Sequence, residues 1–384
     1  MKNKIILFAV AFLFLINGVI APLDETPISN CEELDYIFDA DADNIYNFYL
    51  TNNINCSGYT RELVGGERIS YEGASNFNGY FDGHGYNISN LYINSSVAGL
   101  FTNFSNFSVI LNVGLINLTI ITAGDYAGGI AGIDSFSSKI QNCFVEGTIN
   151  GNENVGGLIG QGSIGTTISK SYFKGDITGS NYVGGLVGNN TGNITNSYAI
   201  GSINGENYIG GLVGYSNYDL IINSSYAVED ITATGISGGL IAYNGSSLIC
   251  DTSYWDTDVG VGTSACGDGK TTEEMVLNAT YVGWDFISLW QIDEGVTYPY
   301  LYFEGSGYEA EFPPEIIPEP AYKSGTIYRL SEDAGAGISS FMLYITSPLV
   351  QFLIIITVVV TMIVGIMYAL IGMLKHYFKY TIKK

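Results

Sequence analysis

A Gly-Gly pair followed by Leu or Ile returns every 26 to 28 residues through the middle of this 384-residue chain. A tandem period of that length leaves few folds open. The copies are 126–132 (YAGGIAG), 155–160 (VGGLIG), 182–188 (YVGGLVG), 208–214 (YIGGLVG) and 237–242 (SGGLIA), the last without its final Gly. Their glycines are Gly128, Gly129 and Gly132, then Gly156, Gly157 and Gly160, Gly184, Gly185 and Gly188, Gly210, Gly211 and Gly214, and finally Gly238 and Gly239. A degenerate copy starts at Ala98, 30 residues before Gly128. A second segment keeps the same register in Cys143-Phe144, Tyr172-Phe173, Tyr198-Ala199, Tyr226-Ala227 and Tyr254-Trp255, with Ile149, Ile177, Ile203 and Ile231 a few residues after the first four.

A unit this short, made of brief apolar strands and Gly or Asn turns, cannot bury its own apolar side and must stack on its neighbours. Stacking at about 4.8 Å aligns Ile130, Leu158, Leu186, Leu212 and Leu240 as one interior ladder. Glycine at fixed places is expected to turn corners with φ > 0 and to let successive backbones approach closely. The fold class that follows is all-β, a right-handed parallel β-helix of about seven coils, on the order of 35 Å long at that strand spacing. One C-terminal transmembrane helix completes it.

The motif resembles a known family. The G-G-Leu-hydrophobic-G core looks like the GLUG motif, found in tandem in secreted and cell-surface proteins of bacteria and archaea. These include non-catalytic parts of some immunoglobulin-cleaving metallopeptidases and adhesin-like proteins. Residues 77–91 (FNGYFDGHGYNISNL) are similar to the family's opening coil, and 253–256 (SYWD), 269–275 (GKTTEEM), 283–286 (GWDF) and 298–301 (YPYL) to its closing segment. The resemblance spans 77–303 and implies a β-helical surface module without implying any particular enzyme.

Composition and the chain ends set the context. With 49 Gly but 47 % hydrophobic residues and 8 Pro, the chain is neither collagen-like nor disordered. The net charge is −23, and six of the 14 basic residues sit at the ends, which leaves −29 between them. So acidic a surface repels phosphate backbones, and no nucleic-acid partner is expected. Residues 1–21 read as a signal peptide, with Lys2 and Lys4 before an apolar run. Residues 352–374 carry no charge over 23 positions, enough to cross a bilayer. Ser347 and Pro348 suit the start of that helix, so the span is placed at 348–374. The basic tail 375–384 is then cytoplasmic and the bulk of the chain extracellular, a single-pass type I arrangement in the cell membrane. Gly365 and Ala369 offer a small-residue step through which two such helices could pair.

Between the ends, 22–76 read as an N-terminal cap and first coil region, 77–255 as the β-helix and 256–306 as a C-terminal cap. Residues 307–347 form an acidic linker stiffened by Pro313, Pro314, Pro318 and Pro320. Open sheet ends need covers. Ser29-Asn30-Cys31-Glu32 has the capping-box pattern and would start a short helix placing Leu34 and Ile37 over one end. Trp284, Trp290 and Tyr300 are expected to plug the other. Five cysteines in an exported chain point to two disulfides, Cys31 with Cys56 and Cys250 with Cys266, leaving Cys143 packed inward.

A β-helix also invites a carbohydrate-active reading, a membrane-anchored hydrolase or lyase. His84, in Gly83-His84-Gly85, lacks the acidic and basic partners that a polysaccharide hydrolase would place beside it. The outward column Thr148, Asp176, Ser202, Asp230 sets its two acids two strand spacings apart, so adjacent coils pair no carboxylates. The motifs H-E-x-x-H, G-x-S-x-G and the phosphate-binding loop are absent from the sequence. Asp39, Asp41 and Asp43 resemble half of a calcium loop, but Asn44 and Leu50 stand where Gly and a bidentate Glu belong, so no cofactor is assigned and calcium is the one candidate. Of eleven N-x-Ser/Thr sequons, Asn193 and Asn223 are the leading glycosylation candidates, placed in inter-strand turns. No catalytic or metal residue is assigned. The sequence reads as a membrane-anchored surface rod with a structural or adhesive role, its partners glycans or surface proteins. A viral or envelope component is the remaining alternative.

Overall fold

The computed structural model describes residues 25–37, 46–58, 60–62, 77–104, 108–135, 137–189 and 192–302. All belong to the first of two compact units, Met1–Pro314. The signal peptide, the Asp39 loop, the linker, the predicted span 348–374 and the basic tail lie outside the described residues. Among the described residues, no helix is long and apolar enough to cross a membrane.

The chain winds as a parallel β-solenoid. Each turn contributes one strand to each of four sheets, taken here in chain order as the first to the fourth. Coil 1 covers 79–104, coil 2 109–134, coil 3 139–161, coil 4 167–189, coil 5 193–216 and coil 6 220–244. Among the described residues there are six complete coils where seven were expected; the flanking strands described there add to the first and second sheets, and Phe77 makes a single bridge to Phe104 of the fourth. Glu25–Ile28, Tyr46–Leu50 and Leu248–Asp251 extend the first sheet to nine strands, while the third and fourth hold six each among the described residues. Pairing is parallel and in register, so Ile149, Ile177, Ile203 and Ile231 follow one another up the second sheet.

The interior forms as the period requires. Ile130, Leu158, Leu186, Leu212 and Leu240 are all fully buried. Their backbones form a chain of hydrogen bonds, each N–H donating to the carbonyl of the next coil at 2.8–3.0 Å. The motif glycines bend the chain between the third and fourth sheets, and their role is close approach. A Cβ on Gly156 would lie 2.2 Å from the Ile159 carbonyl oxygen, and one on Gly157 2.2 Å from that of Gly185. Left-handed backbone falls on other residues, most regularly at the corner between the first and second sheets. There Asn112, Asn142, Lys170, Asn196, Ser224 and Thr252 take φ of 47–54°. Asn and Asp tolerate that region best, which accounts for three of the six. The Asn142 amide donates to Asn112 Oδ1 at 3.0 Å, and the Asn112 amide to Asp82 Oδ1 at 3.0 Å.

One residue further, the side chain turns inward. Ser171, Ser197, Ser225 and Ser253 are buried, and each hydroxyl accepts the N–H of the equivalent residue one coil earlier at 3.1–3.3 Å. Cys143 is the first rung of this ladder. Its N–H donates to Ser171 Oγ at 3.1 Å and its thiol to the Gln141 carbonyl at 3.2 Å. The odd cysteine therefore stands in for serine, and burial pushes its thiol up to about 12. We expect Cys143→Ser to change unfolding free energy by less than about 1 kcal/mol, since a hydroxyl serves the same bonds. The native thiol should stay unmodified by a disulfide reagent until the chain unfolds; fast labelling of the folded protein would contradict this placement.

Both expected disulfides form, Cys31–Cys56 with Cα atoms 5.4 Å apart and Cys250–Cys266 at 5.9 Å. The N-terminal capping box is shifted by one residue. Asn30 Oδ1 accepts the Glu33 N–H at 3.1 Å while the Glu33 carboxylate accepts the Ser29 N–H at 2.7 Å. These bonds hold the exposed Glu33 carboxyl below its ordinary range. The turn that follows, Glu32–Ile37, is a 3-10 helix, and Leu34 and Ile37 join the continuous core.

The C-terminal segment corrects a second expectation. The last strands of the third and fourth sheets are covered by the loop tied down by Cys266. The Gly239 N–H donates to the Thr263 carbonyl at 2.8 Å, and the Ala265 N–H to the Ile241 carbonyl at 3.0 Å. Trp284 and Trp290 do not plug the end. They belong to a strap, 272–302, that folds back along the outer side of the second sheet. There Phe144, Tyr172, Tyr198 and Tyr226 form a stacked ladder with centroids 4.9 Å apart, one ring per coil. The strap lays Met275, Tyr281, Trp284, Trp290 and Leu301 over this ladder as a second apolar core. The Trp284 indole N–H donates to the Thr252 carbonyl at 2.9 Å. Buried Asp256 anchors the strap by accepting from Thr272 Oγ1 at 2.8 Å and Tyr298 Oη at 2.7 Å.

Candidate functional site

At the corner between the third and fourth sheets, two columns of side chains bring tyrosines together in overlapping coils. Tyr182 and Tyr208 are the second residues of the third-sheet strands of coils 4 and 5 (Asn181–Gly184 and Asn207–Gly210). Tyr215 and Tyr243 lie in register on the fourth-sheet strands of coils 5 and 6. Earlier rungs of the second column carry Gln161 and Asn189. Within each column the rings are near-parallel, with centroids 5.3 Å apart. Between columns they meet edge to face, at 5.1–5.8 Å and 64–77°. Tyr243 is 41 % exposed and the other three rings are half-buried. Exposed Ile236 occupies the rung after Tyr208.

The backbone under this patch is strained. Tyr182 and Tyr208 take φ of 56° and 59°, and Asn154 one coil earlier takes 49°. Asn suits the left-handed region, whereas a bulky aromatic residue there is an outlier costing on the order of 1–3 kcal/mol. Strain of this kind, held in place by surrounding structure, marks functional surfaces more often than structural ones. Of the four hydroxyls, that of Tyr215 donates to Asn217 Oδ1 at 2.6 Å, and no other has a partner among the described residues. Burial raises the Tyr182 phenol above its ordinary range, with Tyr208, Tyr215 and Glu153 adding to the effect, so it is a neutral hydrogen-bonding group.

The residues singled out in the sequence fall elsewhere. Asp176, Ser202 and Asp230 share the predicted outward column, and Ser202 Oγ donates to Asp176 Oδ1 at 2.6 Å. The two exposed acids stay two rungs apart. Glu229, next to Asp230, is buried on the opposite face of that strand. His84 sits in a left-handed turn, its N–H donating to Asp82 Oδ1 at 2.8 Å and its ring 5.1 Å from Tyr49. Among the described residues, no three of His, Cys, Asp and Glu gather into a metal-ligand set. Asn193 and Asn223 lie within first-sheet strands and not in turns. Asn193 is exposed, while Asn223 is half-buried with its side-chain oxygen enclosed and its sequon's Ser225 inside the core. The tyrosine patch escaped the sequence reading, although Tyr182 and Tyr208 stand at one fixed place in the repeat.

The GLUG motif matches residues 151–178 and 179–204, which run from the third sheet of coil 3 to the second sheet of coil 5. The chain carries tandem GLUG repeats. No curated protein matches it. Among solved structures, it is similar to a candidate immunoglobulin A1 protease from Bacteroides ovatus at 19 % identity and a TM-score of 0.56, over 73 % of this chain and 93 % of that one. It is also similar to a chain described as IgA1 protease, at 25 % identity and a TM-score of 0.49, covering 60 % of this chain and 19 % of that one. The first likeness shows the solenoid fold of the GLUG coils.

Proposed function

We propose that this GLUG-repeat solenoid is a membrane-anchored cell-surface protein whose rod serves recognition, with the tyrosine patch of coils 4–6 as its contact surface. The patch carries the reading. Two neighbouring columns become Tyr in overlapping coils, after Asn154 in one and Gln161 and Asn189 in the other, and two of those rings are kept at strained backbone positions. Tyr brings a large apolar face and a hydroxyl with few rotatable bonds, the combination that recognition surfaces favour. Anchoring rests on residues 348–374, and exposed Asn193 is the glycan acceptor favoured by position.

Full-length chain expressed in a host cell should be labelled from outside by a membrane-impermeant reagent. A chain ending at residue 347 should appear in the medium. Cells displaying the full chain should attach to a target surface, and Tyr182→Asn with Tyr208→Asn should abolish attachment. Retention inside the cell, or undiminished attachment by the double variant, would sink the reading.

A further inference from the structure

We propose that the tyrosine patch binds neutral saccharide chains, an assignment that rests on the recognition role above and supplies its ligand class. The chemistry of the four rings selects that class. A pyranose presents a C–H face and a rim of hydroxyls, and Tyr answers both with an apolar ring and a polar tip. Three of the four hydroxyls have no partner within the described residues and are available to a ligand.

Charge narrows the class further. The cations among the described residues are Arg61, Lys139, Lys170, Lys174 and Lys270, all on the first or second sheet or the corner between them. The patch lies at the opposite corner, with Glu153 as its nearest charge named by its effect on Tyr182. On a chain of net charge −23, uronate, sulfated or sialylated sugars would meet repulsion and find no counter-ion.

Size and shape argue against a folded protein partner. Four partly buried rings offer much less than the roughly 800 Å² per partner of a standard protein interface. They suit a narrow ligand. Each column runs from coil to coil with rings 5.3 Å apart, and a 1,4-linked pyranose advances by a comparable distance per unit. A saccharide lying parallel to the rod could thus set one sugar against each coil. Mutual ring packing and the left-handed backbone at Tyr182 and Tyr208 fix the patch beforehand, so little side-chain freedom is lost on binding.

The test uses the purified full-length chain against a panel of neutral oligosaccharides and an acidic panel of matched length. Neutral sugars should bind with little dependence on ionic strength. Tyr182→Asn with Tyr208→Asn should weaken binding by about tenfold or more, two rings' worth of contact. This variant keeps the fold, since Asn154 already occupies the same rung with the same backbone. Binding confined to acidic sugars, or unchanged in the double variant, overturns the assignment. If the variant abolishes cell attachment while no neutral sugar binds, the ligand class is wrong and the recognition role stands. If attachment and sugar binding are both unaffected, both fall.

Discussion

Replacing Glu229 with Met raises the stability of the rod, by about 2 kcal/mol at pH 4 and by more than that at pH 8. Second-sheet register gives the reason. Glu229 follows Gly147, Gly175 and Gly201 in one column, so a carboxyl enters where coils 3 to 5 carry no side chain. It occupies space left by the inward pair Ala199 and Ala227, between Phe173 and Trp255, and a Cβ on Gly185 would lie 3.0 Å from its Oε1. The residue is 2 % exposed and neither carboxyl oxygen has a hydrogen-bond partner. Burial, with the Asp176 charge as a smaller contribution, pushes its carboxyl well above the ordinary carboxylate range. The folded state therefore holds a proton that the unfolded chain releases. Stability from this group is fully present below the unfolded value and is lost as pH rises towards the folded one. Met fills similar volume, leaves no unpaired oxygen and does not titrate. Thermal unfolding of both proteins between pH 4 and pH 8 settles the matter. Curves that stay parallel across the range would mean that Glu229 is ionised or solvated in the folded chain.

Trp290→Ala should cost about 3–5 kcal/mol, the usual penalty for emptying a large aromatic site. Trp290 is 1 % exposed and packs on Tyr198 and Tyr226 with ring centroids at 5.9 and 6.1 Å. Its indole N–H also donates to Asn196 Oδ1 at 3.4 Å, across 94 residues of sequence. Hydrogen exchange should show residues 272–302 losing protection first, with the amides of the interior Leu ladder changing less. Uniform loss over the whole rod would mean that strap and coils unfold as one unit, and an unchanged denaturation midpoint would mean that the strap contributes nothing.

The features legible in the sequence are those that repeat with the coil. The interior Leu ladder, the inward Cys143 and the outward Thr148–Asp176–Ser202–Asp230 column follow from spacing, because one residue per coil in fixed register leaves each position a single environment; the cysteine pairs follow from the segments they bracket. What spacing misses are contacts between columns. Trp290 meets Tyr198 only because the strap doubles back, and nothing near either residue signals it. The tyrosine patch needs two columns to meet across a bend, so Tyr215 and Tyr243 look unremarkable until the bend is built. Glycine suggested left-handed corners, yet those corners went to Asn, Lys, Ser and Thr, since the motif glycines are held by backbone crowding. The count of complete coils among the described residues is six and not seven, since the N-terminal strands described there extend the first two sheets.

The ladders also govern how such a molecule can change length. Leu, Ser, corner and Tyr positions each advance by one residue per coil, so inserting or deleting a whole coil restores every pairing, while a single-residue insertion displaces all of them at once. Viable lengths are therefore quantised in steps of 26–30 residues, the coil periods seen here. The strap adds a boundary condition. By packing on coils 5 and 6 it pins the end of the rod that holds most of the tyrosine patch, and duplication is accommodated on the N-terminal side of coil 4. Descendants of such a gene could grow or shrink without altering the arrangement of patch and strap.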